Sequence, residues 1–189
     1  MSQSEHFAHF HYCPRCGAND VHTPNMKLLV CRACDFHYYT NAAAAVIALI
    51  HNEAGDILFV RRGREPSKGK LDLPGGFVDP QETIENALTR EIKEELGLDI
   101  AEFSFLASFP NRYLYREVLY HTVDCVFVCT VADLTPLLDT DEIEDVVFIP
   151  PNAVDFDEIG FQSVRSAIRH YQSRFPAKES VEKEAISAE

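Results

Sequence analysis

The stretch LDLPGGFVDPQETIENALTREIKEELGL, residues 71–98, holds five glutamates, one arginine and a Pro-Gly-Gly corner. Its periodicity predicts a helix over residues 82–96, ended by Gly97 as the C-cap residue. A helix turns by about 100° per residue, so Glu91, Glu94 and Glu95 project within one arc of about 100°. Like charges at this spacing destabilise a bare helix by roughly a few tenths of a kcal/mol per pair. The cluster borders the apolar row Ile84, Leu88 and Ile92, so it does not lie wholly in water, and carboxylates held this way resist joint ionisation. A hard divalent cation such as Mg²⁺ removes both objections, because it takes oxygen ligands and keeps waters and substrate phosphates beside them. Glutamates are also common on ordinary surface helices, so the surroundings must decide between the two readings.

Working outward, 189 residues with 46% hydrophobic content suit one ordinary domain with a core and a small appendage. The longest apolar run, residues 42–50, has nine residues. A membrane span needs about 20, so the run predicts a buried strand and no membrane partner. The first residues, MSQSEHFAHFHYC, lack a cationic start followed by an apolar stretch, which sets the expectation of a cytoplasmic protein without a secretory signal. The formal net charge is −13, and residues 133–158 carry nine acidic residues and no basic one. Such a surface repels polyphosphate backbones, so extended nucleic acid is not expected as the main partner. A small anionic substrate needs metal ions to neutralise its site.

Six cysteines are present, four of them in CPRCG and CRACD: Cys13, Cys16, Cys31 and Cys34. Each Cys-x-x-Cys turn offers two thiolates to one metal, and two turns complete a closed tetrahedral zinc site. Four ligands leave no open position, so a structural zinc is expected rather than a redox pair. About 30 residues bury too little apolar surface to fold alone, and the metal is expected to supply folding energy to residues 10–40. Residues 1–9 read as a loose, solvated terminus, and His6, His9 and His11 are not expected as ligands, because four cysteines already saturate one zinc ion. Cys125 and Cys129 sit an even number apart on a strand and read as core.

After residue 40, AAAAVIALI and DILFVRR read as two strands joined by a hairpin turn at residues 51–55. FSFLASF, LYHTVDCVFVCTV and VVFI read as further strands. FQSVRSAIRHYQSRF reads as an amphipathic helix with Val164, Ile168 and Tyr171 on its buried face. The polar residues 176–189 read as a flexible tail.

Gly76, Glu82, Arg90-Glu91-Ile92, Glu94-Glu95 and Gly97-Leu98 stand at the spacings of the Nudix box, with every defining position filled. Residues 42 to about 175 therefore resemble the Nudix hydrolases, and the 41–175 segment is expected to be a Nudix domain behind a zinc ribbon. The resemblance implies an α+β fold, an α/β/α sandwich with a mixed β-sheet between helices. It also implies Mg²⁺- or Mn²⁺-dependent hydrolysis of a nucleoside diphosphate linked to another moiety. Carried over, Glu91, Glu94 and Glu95 are the expected metal ligands, with the Gly76 carbonyl beside them, and Arg90 orients the glutamates. Glu82 is expected at the edge of the metal site. The base that activates water is one of these glutamates or a nearby acid; Glu142 and Glu144, in the acidic loop before VVFI, are candidates. Many relatives pair, so a homodimer is compatible with the resemblance.

Arg61 and Arg62 end a strand before the box, and alternation points one of them inward to grip phosphate. Phe109, Arg112, Tyr113 and Tyr115 offer planar groups that suit a base, with strand packing as the competing reading. A zinc ribbon ahead of such a domain resembles ADP-ribose/FAD pyrophosphatases and NADH pyrophosphatases. The NADH enzymes carry a Ser-Gln-Pro-Trp-Pro-Phe-Pro run, whereas this chain has no Trp. ADP-ribose or FAD, cleaved to two monophosphates, is therefore the leading expectation. A nucleoside triphosphate house-cleaning enzyme and a non-catalytic nucleotide sensor with the ribbon as an interaction module are the alternatives. The intact box argues against the sensor, because binding alone has no physical need for the full carboxylate set.

Overall fold

The computed structural model describes residues 5–137 and 141–176. Three short strands come first: β1 (Val21–Asn25), β2 (Leu28–Cys31) and β3 (His37–Tyr39), forming an antiparallel sheet in that order. Then follow β4 (Ala43–Ile50), β5 (Ile57–Arg62), β6 (Leu71–Asp72), α1 (Ile84–Leu96), β7 (Ile100–Tyr115), β8 (Val118–Val131), β9 (Ile143–Ile149) and α2 (Gln162–Arg174). They make two more three-stranded sheets, ordered β4-β8-β7 and β6-β5-β9. The first is mixed, because β4 runs parallel to β8 while β7 is antiparallel to it.

β4 organises the core, and its composition explains how. A strand that alternates apolar and polar residues buries one face; AAAVIALI is apolar on both. Val46, Ala48 and Ile50 pack with Leu88, Ile92 and Leu96 of α1, together with Cys125 and Cys129 of β8. Ile47 and Leu49 pack with Val164, Ala167 and Ile168 of α2. The β-layer thus lies between two helices, which is the α/β/α arrangement of an α+β fold. Each fully buried Leu or Ile contributes about 1.5–3 kcal/mol of transfer energy.

α1 starts two residues later than its periodicity suggests. Thr83 caps it, its hydroxyl accepting the Asn86 N–H at 3.2 Å, which leaves Glu82 in the preceding turn. Gly97 ends it in the left-handed conformation (φ 67°), donating to the Lys93 carbonyl at 3.0 Å.

Two expectations differ from the structure. The turn at residues 51–55 does not join strands of one sheet: β4 and β5 belong to different sheets, with an isolated bridge, His51–Ile57, at the turn. β4 instead finds an eight-residue parallel match, from Ala43 opposite Thr122 to Ile50 opposite Cys129, while β5 pairs with β9 and β6. Nor are residues 5–7 a loose terminus. Glu5–Phe7 form a 3₁₀ turn with Phe7 fully buried against Phe10 and Tyr38. His6 Nδ1 lies 2.9 Å from the Leu119 carbonyl of β8, and Glu5 pairs with Arg112. Burial of one aromatic ring outweighs the ordering of its polar neighbours. The expected flexible residues 1–4 and nearly all of the polar tail (177–189) lie outside the described residues.

The 3₁₀ turn therefore bridges the small N-terminal sheet, through Phe7 on Tyr38, and β8, through His6 on Leu119 and Tyr120. Phe7→Ala is expected to lower the unfolding free energy by about 3 kcal/mol, read from urea denaturation. An unchanged midpoint would show that the turn does not dock in solution.

Candidate functional site

The site is built where the loop after β6 runs along the free edge of β4. The Ala48 and Val46 N–H groups donate to the carbonyls of Pro74 (2.9 Å) and Gly76 (2.8 Å), and Val78 N–H donates to Ala44 at 3.0 Å. The backbone is squeezed between β4 and α1, which is why both residues are glycine. Gly75 has φ 143°, and a β-carbon there would collide with the Val46 carbonyl oxygen. A β-carbon on Gly76 would stand 2.5 Å from the Glu91 carboxyl carbon.

Arg90 gathers the acids of α1. Its Nε and Nη2 donate to the two oxygens of Glu82, each at 2.9 Å. Its Nη1 donates to Glu91 at 2.8 Å and Glu94 at 3.0 Å, and Nη2 also reaches the Phe77 carbonyl at 3.0 Å. The planar fork suits this paired geometry. Hydrogen bonds from Arg90 hold the Glu82 carboxyl below its usual range, and those bonds in turn raise the guanidinium pKa. Glu82 thus serves the arginine rather than standing free at the edge of the site.

Glu91 and Glu95 behave differently. Burial raises the Glu91 pKa against the opposing pull of Arg90. Burial pushes Glu95 up to about 8, although its carboxylate accepts the Gly75 N–H at 2.9 Å. Glu94 stays largely in solvent, with its side chain 61% exposed. Half-buried carboxylates that resist ionisation beside a side-chain-free loop fit a hard divalent cation, and the all-oxygen donor set of Glu91, Glu94 and Glu95 suits Mg²⁺ or Mn²⁺. The Gly76 carbonyl already accepts one hydrogen bond from Val46.

A cleft opens beside this cluster, and the structure sorts the expected substrate-binding residues around it. Arg62 and Tyr113 line it. Arg62 bonds Asp72 at 2.9 Å and stacks over Phe161 at 4.9 Å. Arg61 points the other way, as alternation requires, to Gly69 O at 2.6 Å and Glu158 at 3.7 Å. Phe109 packs on His170 of α2, and Arg112 pairs with Glu5, so neither lies in the cleft. Glu144 pairs with Lys68 at 3.5 Å outside the cleft, whereas Glu142 lines it and pairs with Arg64. The reason is a register shift: Arg61 faces Asp145 and Arg62 faces Ile143, so Glu144 is the extra residue of a bulge. Tyr115 lies beside Phe77 and Tyr113 in an adjoining aromatic hollow.

Sequence reasoning missed Asp72, Asp124, Phe161 and Ser163, which also line the cleft. Asp124 had a signal, as a carboxylate interrupting the apolar run of β8. Burial raises the Asp72 pKa to about 6 even with Arg62 pulling it down.

At the N-terminal end, Cys13, Cys16, Cys31 and Cys34 converge, with all four sulfurs within 4.8 Å of one another. The Cys13–Cys34 and Cys16–Cys31 sulfur separations are both 3.7 Å. A disulfide needs about 2.05 Å; a zinc tetrahedron with bonds of about 2.3 Å has edges of about 3.8 Å. Zinc fits this donor set. Among the described residues these cysteines are the one group of three or more His, Cys, Asp or Glu with such convergence. The carboxylates of α1 stand further apart, with the Arg90 guanidinium between Glu91 and Glu94.

The family model of the NUDIX domain matches residues 41–171. The ADP-ribose pyrophosphatase of Methanocaldococcus jannaschii is 35% identical over 128 residues, 66% of this chain and 74% of that one. The NAD-capped RNA hydrolase NudC of Pseudomonas aeruginosa is 24% identical over 172 residues, 91% of this chain but only 58% of NudC. Among solved structures, a NUDIX hydrolase from Nitrosomonas europaea superposes with a TM-score of 0.65 at 20% identity, covering 86% of this chain and 90% of that one. The MutT NUDIX hydrolase of Burkholderia pseudomallei gives 0.60 at 26% identity, covering 69% of this chain and 98% of its own.

Two outcomes are expected. A carboxyl whose pKa is higher folded than unfolded binds its proton more tightly in the folded state, so raising the pH from 3.8 through about 6 removes stability at Asp72. Relative to the parent chain, Asp72→Asn should gain stability across that window, by up to about 1.4 kcal/mol per pH unit; a flat or falling difference would contradict the burial argument. Stripping zinc with a chelator should accelerate amide exchange in residues 10–40, and unchanged protection there would show that the cysteines need no metal.

Proposed function

The chain belongs to the Nudix family of pyrophosphate-bond hydrolases, and we propose that it cleaves a nucleoside diphosphate linked to another moiety, of the ADP-ribose or FAD type, to two monophosphates. The observation that carries this reading is the Arg90 network, which holds Glu82, Glu91 and Glu94 beside the Gly75–Gly76 turn. An interaction module has no need to concentrate so much like charge against a substrate-sized cleft.

In this reading Glu91, Glu94 and Glu95 hold Mg²⁺ or Mn²⁺ next to Gly76. When bound, the cation neutralises the diphosphate and acidifies water. Arg90 orients Glu91 and Glu94, and Glu82 fixes Arg90. Water attacks one phosphorus, the bridging P–O bond breaks, and the bridging oxygen leaves on the other phosphate. A proton passes to a carboxylate lining the cleft, for which Glu142 is placed. Arg64, paired with Glu142, brings positive charge to the same wall. We assign residues 10–40 to a zinc-dependent ribbon and 41–175 to the catalytic domain. A cytoplasmic location accords with six free cysteines, and a homodimer rests on the family resemblance.

The M. jannaschii pyrophosphatase supports ADP-ribose as the leading substrate. A second reading, hydrolysis of NADH or an NAD cap, is favoured by the NudC likeness, which extends beyond the NUDIX match into the N-terminal segment.

A turnover panel with saturating Mg²⁺ tests this, using ADP-ribose, FAD, NADH, dinucleoside polyphosphates and oxidised nucleoside triphosphates. ADP-ribose or FAD should be preferred, and Glu94→Gln should lower turnover by orders of magnitude with the fold intact. Near-normal turnover in that variant would sink the site assignment. Nucleotide binding without any turnover would favour a sensor.

A further inference from the structure

The cleft has a second end that the hydrolytic chemistry does not use. Two adjoining cavities share Arg62, Asp72, Gly75, Gly76 and Tyr113; one reaches Glu95 and Glu142, the other Thr122, Asp124 and Ser163. Asp124 sits on the central strand of its sheet, opposite Ala45 of β4 and Phe109 of β7. It is 5% exposed, at a position where an apolar side chain would be expected. Its Oδ1 takes the Thr122 hydroxyl.

Ser163, in the first turn of α2, is 1% exposed, and its Oγ has no hydrogen-bond partner. An unpaired buried hydroxyl costs about 1–3 kcal/mol. No side chain caps α2, whose start, at Phe161 and Ser163, lines this end, so its first-turn N–H groups have no side-chain acceptor. The Tyr113 and Phe161 rings stack at 5.7 Å and 27°, with Phe77 edge-on to Tyr113 at 5.5 Å.

We propose that Asp124 and Ser163 recognise the amine-bearing edge of a nucleobase whose ring lies against the Tyr113–Phe161 wall. The proposal rests on the reading of the cleft as a diphosphate-hydrolysing site, and it names the group at the far end of that substrate. A carboxylate only accepts, so Asp124 demands a donor such as an exocyclic amine. A ring nitrogen beside that amine accepts from the Ser163 hydroxyl or from the uncapped N–H groups of α2. The aromatic wall suits a planar π-face. Asp72 and Asp124 place two carboxylates against the single Arg62, so this end repels phosphate, which lies toward Glu95 instead. The opposite edge chemistry is rejected: a hypoxanthine ring puts a carbonyl oxygen where adenine has its amine, facing Asp124.

The test compares ADP-ribose with its hypoxanthine counterpart, and AMP with IMP in equilibrium binding, which reads the same discrimination without turnover. The parent chain should favour the adenine compound through KM and Kd. Asp124→Asn, which can donate to a carbonyl, should shrink or invert that preference. Ser163→Ala should raise KM by about five- to tenfold with kcat spared and stability undiminished, because the hydroxyl it removes bonds nothing in the protein. Equal affinity for both bases, or discrimination untouched by both variants, would overturn the proposal. So would a variant effect that disappears with substrates lacking ribose hydroxyls, since the donors would then be sugar groups. Absence of turnover with base discrimination intact would count against the hydrolytic reading alone.

Discussion

The structure depends on the double engagement of β4. Along one edge its backbone is laddered in parallel to β8; along the other it holds the Pro74–Gly76 carbonyls and Val78. Its two faces are filled by α1 and α2. One strand therefore sets the height of the glycine turn, the depth of the α1 carboxylates and the register that brings Asp124 beneath the cleft. Every group in the site is measured from it, and its backbone is satisfied on both sides, so there is little slack between the loop and the helix.

Electrostatic strain is then concentrated where the backbone is least free to move. A chain of net charge −13 gathers further acids onto one helix and answers them with a single guanidinium. Arg90 satisfies Glu82 on both oxygens but reaches Glu91 and Glu94 with one shared nitrogen, Nη1. Glu95 is left to a backbone N–H, and burial raises its pKa. The arrangement is pre-formed yet incompletely neutralised, the condition in which a divalent cation and an anionic substrate each improve the other's binding.

The N-terminal sheet is joined to the rest by aromatic packing rather than by a shared ladder. Phe7 lies against Tyr38 of β3, and His6 against Tyr120 of β8. Tyr120 in turn borders the hollow formed by Phe77, Tyr113 and Tyr115. A series of ring contacts thus connects the N-terminal sheet with the aromatic side of the cleft.

Much of this was legible in the sequence, because it is local. The 3.6-residue period placed α1 and its carboxylates, Gly97 marked its end, paired Cys-x-x-Cys turns announced the four-sulfur cluster, and nine apolar residues foretold a buried strand. The tertiary structure alone decided what depends on long-range pairing. β4 turned away from its sequence neighbour β5 toward a distant parallel partner, a one-residue bulge put Glu142 rather than Glu144 at the cleft, and α2 carried Ser163 to Asp124. His6 and Glu5 found their partners, Leu119 and Arg112, only on strands far along the chain. Residue spacing encodes which side chains share a face of one element; which elements meet is set by the packing of all of them at once.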